Sequence, residues 1–231
     1  MERIKKAIVT GASSGIGKGV VQELLEQGYV VYGIGRNFTQ EETNTFHPIV
    51  CDVLDTNKLL SCLKEIGLQE VEVLVNNAGC AWYGIHENVS IEAITTMTRT
   101  NLEVPMILTK QLMPYLRKNK GTLITISSMT ATKSSPHGAC YGATKAGLLS
   151  FSNSILEENR KHGVRVSCIL PDMTKTNLYR NADFEASGDA FCSLEVSDVV
   201  EAVHYILTSR VGMQIPVIEL LPQMHRIQKK G

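Results

Sequence analysis

The chain has 231 residues, and its 23 lysines and arginines balance its 23 aspartates and glutamates. This length suits one α/β domain covering residues 1–231, and a net charge of zero offers no basic field to nucleic acid. No segment approaches the ~20 consecutive apolar residues that cross a bilayer, so we expect neither a nucleic acid nor a membrane as a partner.

Seven short apolar runs alternate with longer amphipathic segments along the chain. The runs are nearly continuous in valine, isoleucine and leucine, as expected for strands that are buried on both faces. In chain order they are KAIVT, YVVYGIG, FHPIVC, VEVLVN, GTLITIS, VRVSCIL and QIPVIEL. Segments between them carry apolar residues at helical spacing, as at Val199, Val203 and Ile206. This alternation predicts an α/β fold: a doubly wound, seven-stranded parallel sheet with helices on both faces.

Two regions lack this periodicity. The stretch 172–195 is rich in polar and small residues. A loop of that length inside a compact domain is usually functional, so we expect it to be a lid over a substrate. The C-terminal HRIQKKG is short and basic, and we expect it to be a solvated tail.

Six scattered cysteines form neither a C-x-x-C pair nor a His/Cys spacing typical of zinc. Several lie inside apolar strand-like runs, where a cysteine behaves as a small core residue. We therefore expect free thiols, no bound metal and a cytoplasmic location. The apolar run at the N-terminus is too brief for a signal peptide, which agrees with that location.

The first strand leads directly into TGASSGIG, which contains Gly11, Gly15 and Gly17 and opens the helix at 16–25. Glycines let the backbone turn sharply and approach a phosphate, and the helix N-terminus supplies free N–H groups and a positive dipole. This strand–turn–helix context predicts a dinucleotide site. Lys18 follows without forming G-K-[ST], which disfavours a P-loop NTPase.

Tyr141 and Lys145 are four residues apart in CYGATKAG, so in a helix they project from the same face. A free tyrosine has a pKa near ~10. An ammonium beside the phenol favours its ionised form and lowers that pKa, which makes the phenol a useful proton donor. Taken alone, the pair is also typical of a solvated helix face.

The motifs occur in a fixed order: TGASSGIG, then NNAG at 76–79, then Asn101, Ser128, Tyr141 and Lys145. Ser128 lies 13 residues before Tyr141, and Asn101 lies 40 residues before it. In this order and spacing, nearly the whole chain resembles the short, single-domain branch of the short-chain dehydrogenase/reductase family. The resemblance implies a Rossmann-like form of the predicted sheet and an enzyme that acts on CH–OH donors.

The resemblance also implies the catalytic roles. Tyr141 would donate a proton to a ketone or aldehyde oxygen while NADPH delivers hydride to the carbon. Lys145 would lower the tyrosine pKa, and Ser128, or alternatively Ser127, would hold the carbonyl oxygen. Asn101 would bind a water that links Lys145 to solvent.

The end of the second strand predicts the cofactor. Gly35 stands where an NAD-preferring site would carry a carboxylate, and Arg36 follows it. A guanidinium suits the 2′-phosphate, so we expect NADP(H) to be preferred over NAD(H). Ser13 and Asn37 would add hydrogen bonds. After the third strand, Asp52 resembles the family's aspartate that contacts the adenine amino group, or it is a helix N-cap.

Further contacts with the dinucleotide are implied by the resemblance at Gly11, Ser14, Gly15, Ile16, Gly17, Val53, Asn77, Ala78, Gly79, Tyr141, Lys145, Pro171, Thr174 and Thr176. The chain departs from the family pattern at Asp172, which replaces a usual glycine. Aspartate tolerates left-handed backbone angles, so the turn can survive, or the carboxylate disfavours anionic substrates at the pocket edge.

The substrate pocket is expected at Trp82, Met129, His137, Met173 and Phe184, a largely apolar set that suits a hydrophobic ketone or secondary alcohol.

The resemblance implies a homodimer or homotetramer. Enoyl reductases of the family space their tyrosine and lysine six residues apart, which the four-residue spacing here does not fit. An epimerase of the family needs a larger substrate domain, for which this chain is too short. The alternative from another class is a non-catalytic sensor or scaffold that binds a nicotinamide dinucleotide.

Overall fold

The structure is a computed structural model that describes residues 4–224 and 226–230. Its first half alternates strands and helices, which are β1 (Lys6–Thr10), α1 (Gly15–Glu26), β2 (Val30–Gly35), β3 (Phe46–Val50), α2 (Thr56–Glu65), β4 (Val71–Asn76), α3 (Ile91–Thr98) and α4 (Val104–Asn119). The second half continues with β5 (Thr122–Ile126), α5 (Ala139–Asn159), β6 (Arg165–Pro171), β7 (Phe184–Ala186), α6 (Val196–Thr208), β8 (Val217–Leu220) and β9 (Ile227–Lys229). No helix in these described ranges is both long and apolar enough to cross a membrane.

Seven of the strands form one sheet in the order β3-β2-β1-β4-β5-β6-β8, and every neighbouring pair is parallel. Each predicted apolar run supplies one of these strands, so the seven-stranded parallel sheet is confirmed. The chain winds outward in both directions from β1 and β4, as in the Rossmann-like arrangement. Ligands bind outside the carboxyl ends of the strands where the order reverses, which places a binding crevice above β1 and β4.

An apolar core lies on each face of the sheet, because successive side chains of a strand point to opposite faces. Ile8 packs with Leu74 and Leu123 against helices α2 and α4. Its neighbour Val9 packs with Val75 on the other face, against α1 and α6. The two cores hold the strand ends fixed, so the loops that follow the strands are presented from a rigid base.

Strands β7 and β9 form a separate antiparallel pair, in which Phe184 faces Lys229 and Ala186 faces Ile227. The Nζ of Lys230 donates hydrogen bonds to the carbonyl oxygens of Tyr179, at 2.7 Å, and Ala182, at 2.9 Å. The C-terminal tail is therefore paired with β7, and residues 226–230 are exposed, as expected for a solvated segment. This short polar segment has no alternation of apolar and polar residues that would predict a strand. Its pairing depends on β7, which lies far away in sequence.

Candidate active site

Two adjoining cavities open at the carboxyl ends of the strands. The first, here called the glycine-loop cleft, has a volume of about 270 Å³ and lies above β1, β2 and β4. The second has a volume of about 540 Å³ and is called the aromatic cavity because Tyr83, Tyr179 and Phe184 line it. Ser128 and Tyr141 line both cavities.

The floor of the glycine-loop cleft is backbone. Gly11 and Gly15 have φ angles of +64° and +51°, in the left-handed region that glycine adopts without strain. A Cβ on Gly17 would lie 2.1 Å from the Gly11 carbonyl oxygen, so no larger residue fits there. These positions leave the N-terminus of α1 open to the cleft, which is the cradle that a dinucleotide pyrophosphate requires. The residues present therefore fit such a cofactor.

Arg36 is exposed and lines the cleft just beyond β2. Within the described residues it forms no ion pair with a carboxylate. A Cβ on the preceding Gly35 would lie 3.1 Å from the Ser13 hydroxyl, so the strand end and the glycine loop are in close contact. The guanidinium is therefore available to an anionic group of a ligand in the cleft.

Asp52 lines the cleft, and its Oδ1 accepts a hydrogen bond from the Leu54 N–H at 3.0 Å. The N-cap of α2 is Asp55, whose Oδ1 accepts from the Lys58 N–H at 3.0 Å. The N-cap alternative for Asp52 is therefore wrong, because the helix begins three residues later than that reading requires. Its adenine-contact role stays a prediction.

Most of the other positions predicted to contact the dinucleotide also line the glycine-loop cleft. These are Gly11, Ser13, Ser14, Gly15, Ile16, Val53, Asn77, Ala78, Gly79, Tyr141, Lys145, Pro171, Thr174 and Thr176. Two predicted positions do not line it: Gly17 lies behind the loop against Gly11, and Asn37 is exposed outside the cleft. Gly17 thus shapes the loop rather than touching the space above it.

Tyr141 and Lys145 lie one turn apart on α5 and are almost fully buried. The Lys145 Nζ lies 5.7 Å from the centre of the Tyr141 ring and donates a hydrogen bond to the Ile126 carbonyl oxygen at 2.9 Å. Burial lowers the pKa of Lys145 to about 8. The solvated-face reading of the pair is therefore wrong, because both side chains point into the cleft.

Burial raises the pKa of the Tyr141 phenol above its ordinary value, and hydrogen bonding from Ser128 opposes that shift. The direction differs from the expected lowering by Lys145, because the phenol loses its contact with water on the buried face of α5. In this environment Tyr141 is held in its neutral, proton-carrying form. That form is the one needed to protonate a substrate oxygen.

The two serines after β5 point in different directions. Ser127 donates its hydroxyl to the Lys145 carbonyl oxygen at 2.9 Å and supports the backbone of α5. Ser128 accepts a hydrogen bond from the Thr130 N–H at 3.2 Å and interacts with the Tyr141 phenol. The geometry therefore favours Ser128 over Ser127 as the hydroxyl beside Tyr141.

Asn101 lies in a short π-helical turn, Arg99–Glu103, between α3 and α4 and has no exposed surface. Its amide bonds the Cys80 N–H and carbonyl, each at 2.9 Å, and the Thr144 hydroxyl at 3.1 Å. Single π-helical turns inside helices are frequent at functional sites. Asn101 thus joins the NNAG loop to α5, and its water-relay role stays a prediction.

The aromatic cavity contains three of the five residues predicted for a substrate pocket, namely Met129, Met173 and Phe184. Trp82 lines the glycine-loop cleft instead. His137 lines neither cavity and is exposed, with a φ of +64° that turns the chain before α5. Its closeness to Tyr141 in sequence did not translate into closeness of its side chain to the pocket.

Sequence reasoning missed several walls of the aromatic cavity, which are Tyr179, Leu221, Pro222, Gln223 and Ile227. Four of them come from the chain that follows the last strand of the parallel sheet, and Ile227 lies in the segment expected to be a solvated tail. The apolar end of QIPVIELLPQ was the signal that could have indicated them.

Asp172 lines both cavities and is half-buried. Its Oδ1 accepts a hydrogen bond from the Met173 N–H at 2.8 Å, and its own N–H donates to the Leu220 carbonyl at 2.9 Å. Among the described residues other than glycine, positive φ angles occur at Lys120 and His137. The left-handed alternative for Asp172 is therefore wrong, and a carboxylate at the pocket edge remains.

The comparisons with known proteins agree with this geometry. The profile of the family described as short chain dehydrogenase matches residues 5–186. The chain belongs to the short-chain dehydrogenase family. The serine 3-dehydrogenase of Rhizobium radiobacter is 30% identical to it over 231 residues, covering 93% of this chain and 92% of that protein.

Solved structures share the fold over nearly the whole chain. A serine dehydrogenase in its closed form with NADP⁺ has a TM-score of 0.81 at 25% identity and covers 94% of both chains. An alcohol dehydrogenase from the archaeon Thermococcus sibiricus, solved with 5-hydroxy-NADP, has a TM-score of 0.84 at 22% identity. It covers 96% of this chain and 98% of that one. The short-chain dehydrogenase described here is therefore an oxidoreductase of the class that acts on CH–OH donors, as the sequence predicted.

Proposed function

We propose that this enzyme uses NADP(H) to interconvert a ketone or aldehyde and the corresponding alcohol. The observation that carries the proposal is the position of Ser128 and Tyr141 on the wall shared by the two cavities. A cofactor in the glycine-loop cleft and a substrate in the aromatic cavity would meet at these two hydroxyls. Asp172 and Tyr179 also line both cavities, but Ser128 and Tyr141 are the pair whose hydroxyls interact with each other beside Lys145.

The residues divide the work of the reduction. A bound reduced nicotinamide would supply a hydride, one proton with two electrons, to the carbonyl carbon. Tyr141, held neutral by burial, donates its phenolic proton to the carbonyl oxygen. Ser128 donates a hydrogen bond to the same oxygen and stabilises the charge that develops there.

Lys145 restores the proton that Tyr141 loses. Its pKa, lowered by burial to about 8, lies close enough to neutral pH for the ammonium to give up and regain a proton. Asn101 holds the loop at Cys80 against α5, which keeps Lys145 and Tyr141 in register with the cleft. In the oxidation direction Tyr141 first passes its phenolic proton to neutral Lys145, and the resulting tyrosinate accepts the proton from the alcohol.

The preference for NADP(H) is part of the proposal and rests on Arg36. An exposed guanidinium that pairs with no carboxylate in the described part of the chain can bind a 2′-phosphate in a forked geometry. Replacing Arg36→Asp should lower kcat/KM for NADPH by about 100-fold and leave that for NADH equal or higher. If the ratio of kcat/KM for NADPH to kcat/KM for NADH is the same in the variant as in the wild type, Arg36 does not select the 2′-phosphate.

The proposal includes a cytoplasmic homodimer or homotetramer. All six cysteines are free, which suits a reducing compartment. Light scattering coupled to size-exclusion chromatography measures the assembly directly, and a monomer at micromolar concentration would contradict that part.

An experiment that separates enzyme from sensor measures binding and turnover on the same sample. We expect NADPH to bind with micromolar or tighter affinity by fluorescence and to be oxidised when a methyl ketone is added. A protein that binds NADPH tightly but oxidises none of a broad set of ketones and aldehydes would instead be the non-catalytic sensor or scaffold.

A further inference from the structure

The aromatic cavity has a continuous wall of aromatic rings that begins at Tyr141. The centre of the Tyr83 ring lies 5.8 Å from that of Tyr141 and 4.8 Å from that of Phe184. The Phe184 ring lies 5.7 Å from that of Tyr179. These separations are typical of favourable ring–ring contacts. The wall is therefore a rigid aromatic surface directly beside the hydroxyl that donates the proton.

The other lining residues are mixed: Met129, Pro136, Met173, Leu221, Pro222 and Ile227 are apolar, and Ser128, Thr130, Lys133, Ser134, Ser135, Asp172 and Gln223 are polar or charged. Met129 and Met173 are buried side chains that adapt their shape to a neighbouring group. Leu221, Pro222 and Ile227 line the cavity on the C-terminal side, where Leu221 and Ile227 are half exposed. A volume of about 540 Å³ lies within the range of cavities that enclose a small organic molecule. This space exceeds what a carbonyl group with two short substituents would fill.

Two charged side chains line the cavity among the described residues, Asp172 and Lys133. Lys133 is exposed, so water screens its charge. Asp172 is half-buried beside Tyr179, whose pKa is raised to about 12 by burial, with a further contribution from the Asp172 charge. An anionic substrate would meet this carboxylate close to Tyr141, which disfavours it relative to an uncharged one.

The C-terminal segment fixes the position of this wall. Pairing of β9 with β7 places Lys229 opposite Phe184, and the Lys230 ammonium bonds the carbonyl oxygens of Tyr179 and Ala182. Ile227 of the same strand faces the cavity. The residues that hold the aromatic wall and part of the wall itself thus come from one short segment.

We infer that the substrate is an uncharged carbonyl compound that carries an aryl-sized apolar group, and that Ile227 on β9 helps to select it. The inference rests on the proposed function and specifies its substrate class. The aryl group would lie against Tyr83, Phe184 and Ile227, with its carbonyl oxygen directed to Ser128 and Tyr141.

A panel of four methyl ketones with NADPH tests size and charge separately: butan-2-one, acetophenone, acetoacetate and 4-acetylbenzoate. We expect kcat/KM for acetophenone to exceed that for butan-2-one by about tenfold or more. We also expect kcat/KM to be lower for acetoacetate than for butan-2-one, and lower for 4-acetylbenzoate than for acetophenone. Equal or higher kcat/KM for acetoacetate than for acetophenone would overturn the inference.

Ile227→Asp tests the wall, with Ile91→Asp as a matched control at an exposed isoleucine of α3 outside both cavities. The Ile227 variant should lose about tenfold in kcat/KM for acetophenone and much less for butan-2-one. The control variant should keep the wild-type kcat/KM for both ketones. An equal loss for both ketones in the Ile227 variant would contradict a role in selection, and thermal melting establishes that both variants are folded.

A binding measurement distinguishes failure of this inference from failure of the proposed function. Saturation-transfer NMR detects acetophenone on the NADP⁺ complex of the wild-type protein without any turnover. Binding that Ile227→Asp weakens supports the inference, even if no ketone is reduced and the proposed function fails. Turnover of butan-2-one without any preference for or binding of acetophenone refutes the inference alone.

Discussion

The two cavities that meet at Ser128 and Tyr141 are built in different ways. The glycine-loop cleft has a floor of backbone from the loop that directly follows β1, and more of its lining comes from the segments that follow β2, β3 and β4. The aromatic cavity is made of side chains from four segments that are far apart in sequence, including β7 and β9. The proposed cofactor site thus depends mainly on local chain geometry, whereas the proposed substrate site depends on tertiary packing.

The largest effect should follow from removing the proton donor on the shared wall. Tyr141→Phe keeps the ring contacts of both cavities and removes the hydroxyl alone. We expect kcat to fall by about 10³-fold, as is typical for loss of general acid catalysis, with NADPH affinity nearly unchanged. Stopped-flow and fluorescence titration measure the two quantities. Turnover near the wild-type rate would show that Tyr141 is not the proton donor and that the wall shared by the two cavities is not the reaction site.

The backbone-built cleft should tolerate no added atoms. Gly17→Ala places a Cβ about 2.1 Å from the Gly11 carbonyl oxygen, which is backbone and cannot move aside. We expect a loss of about 1–3 kcal/mol in the free energy of unfolding, together with weaker NADPH binding. Gly188→Ala is the control, since nothing lies within 4 Å of a Cβ there. Equal stability of the two variants in urea would show that the loop is less rigid than described.

A smaller effect should appear in the pH dependence of stability. Burial lowers the pKa of Lys145 from 10.5 to about 8. Between these pH values the unfolded chain holds a proton that the folded chain has released, so the free energy of unfolding rises with pH. The rise is at most about 3 kcal/mol and is absent below pH 8, where both states are protonated.

Urea denaturation of wild type and Lys145→Met from pH 7 to pH 10 isolates this contribution, because groups common to both proteins cancel in the difference. The wild type should gain stability relative to the variant as the pH rises above about 8. A difference that stays constant with pH would show that Lys145 is not held in a desolvated position.

The glycine-loop cleft could be predicted from the sequence, whereas much of the aromatic cavity could not. The seven strands and the loop at Gly11 were predictable because apolar runs and glycine spacing are local properties. The wall at Tyr179 and Ile227 was not, because it depends on an antiparallel pair that joins β7 to β9. His137 was misplaced for a related reason: nearness in sequence to Tyr141 does not determine where a side chain points after a turn.

The position of Asp172 illustrates an intermediate case. Its departure from the family pattern was visible in the sequence, but two physical interpretations fitted equally well. Backbone angles removed the left-handed one and left a carboxylate at the edge of both cavities. A single local residue type can thus raise a question that only the fold answers.

The most direct test of the account follows the hydrogen that the cofactor supplies. NADPH deuterated at the transferred position of the nicotinamide is mixed with a ketone that the enzyme reduces, and the alcohol is analysed by mass spectrometry. The account predicts one deuterium on the carbinol carbon with wild type and almost no alcohol with Tyr141→Phe. Alcohol without deuterium, or equal yield from the variant, would contradict the assignment of hydride transfer at the wall shared by Ser128 and Tyr141.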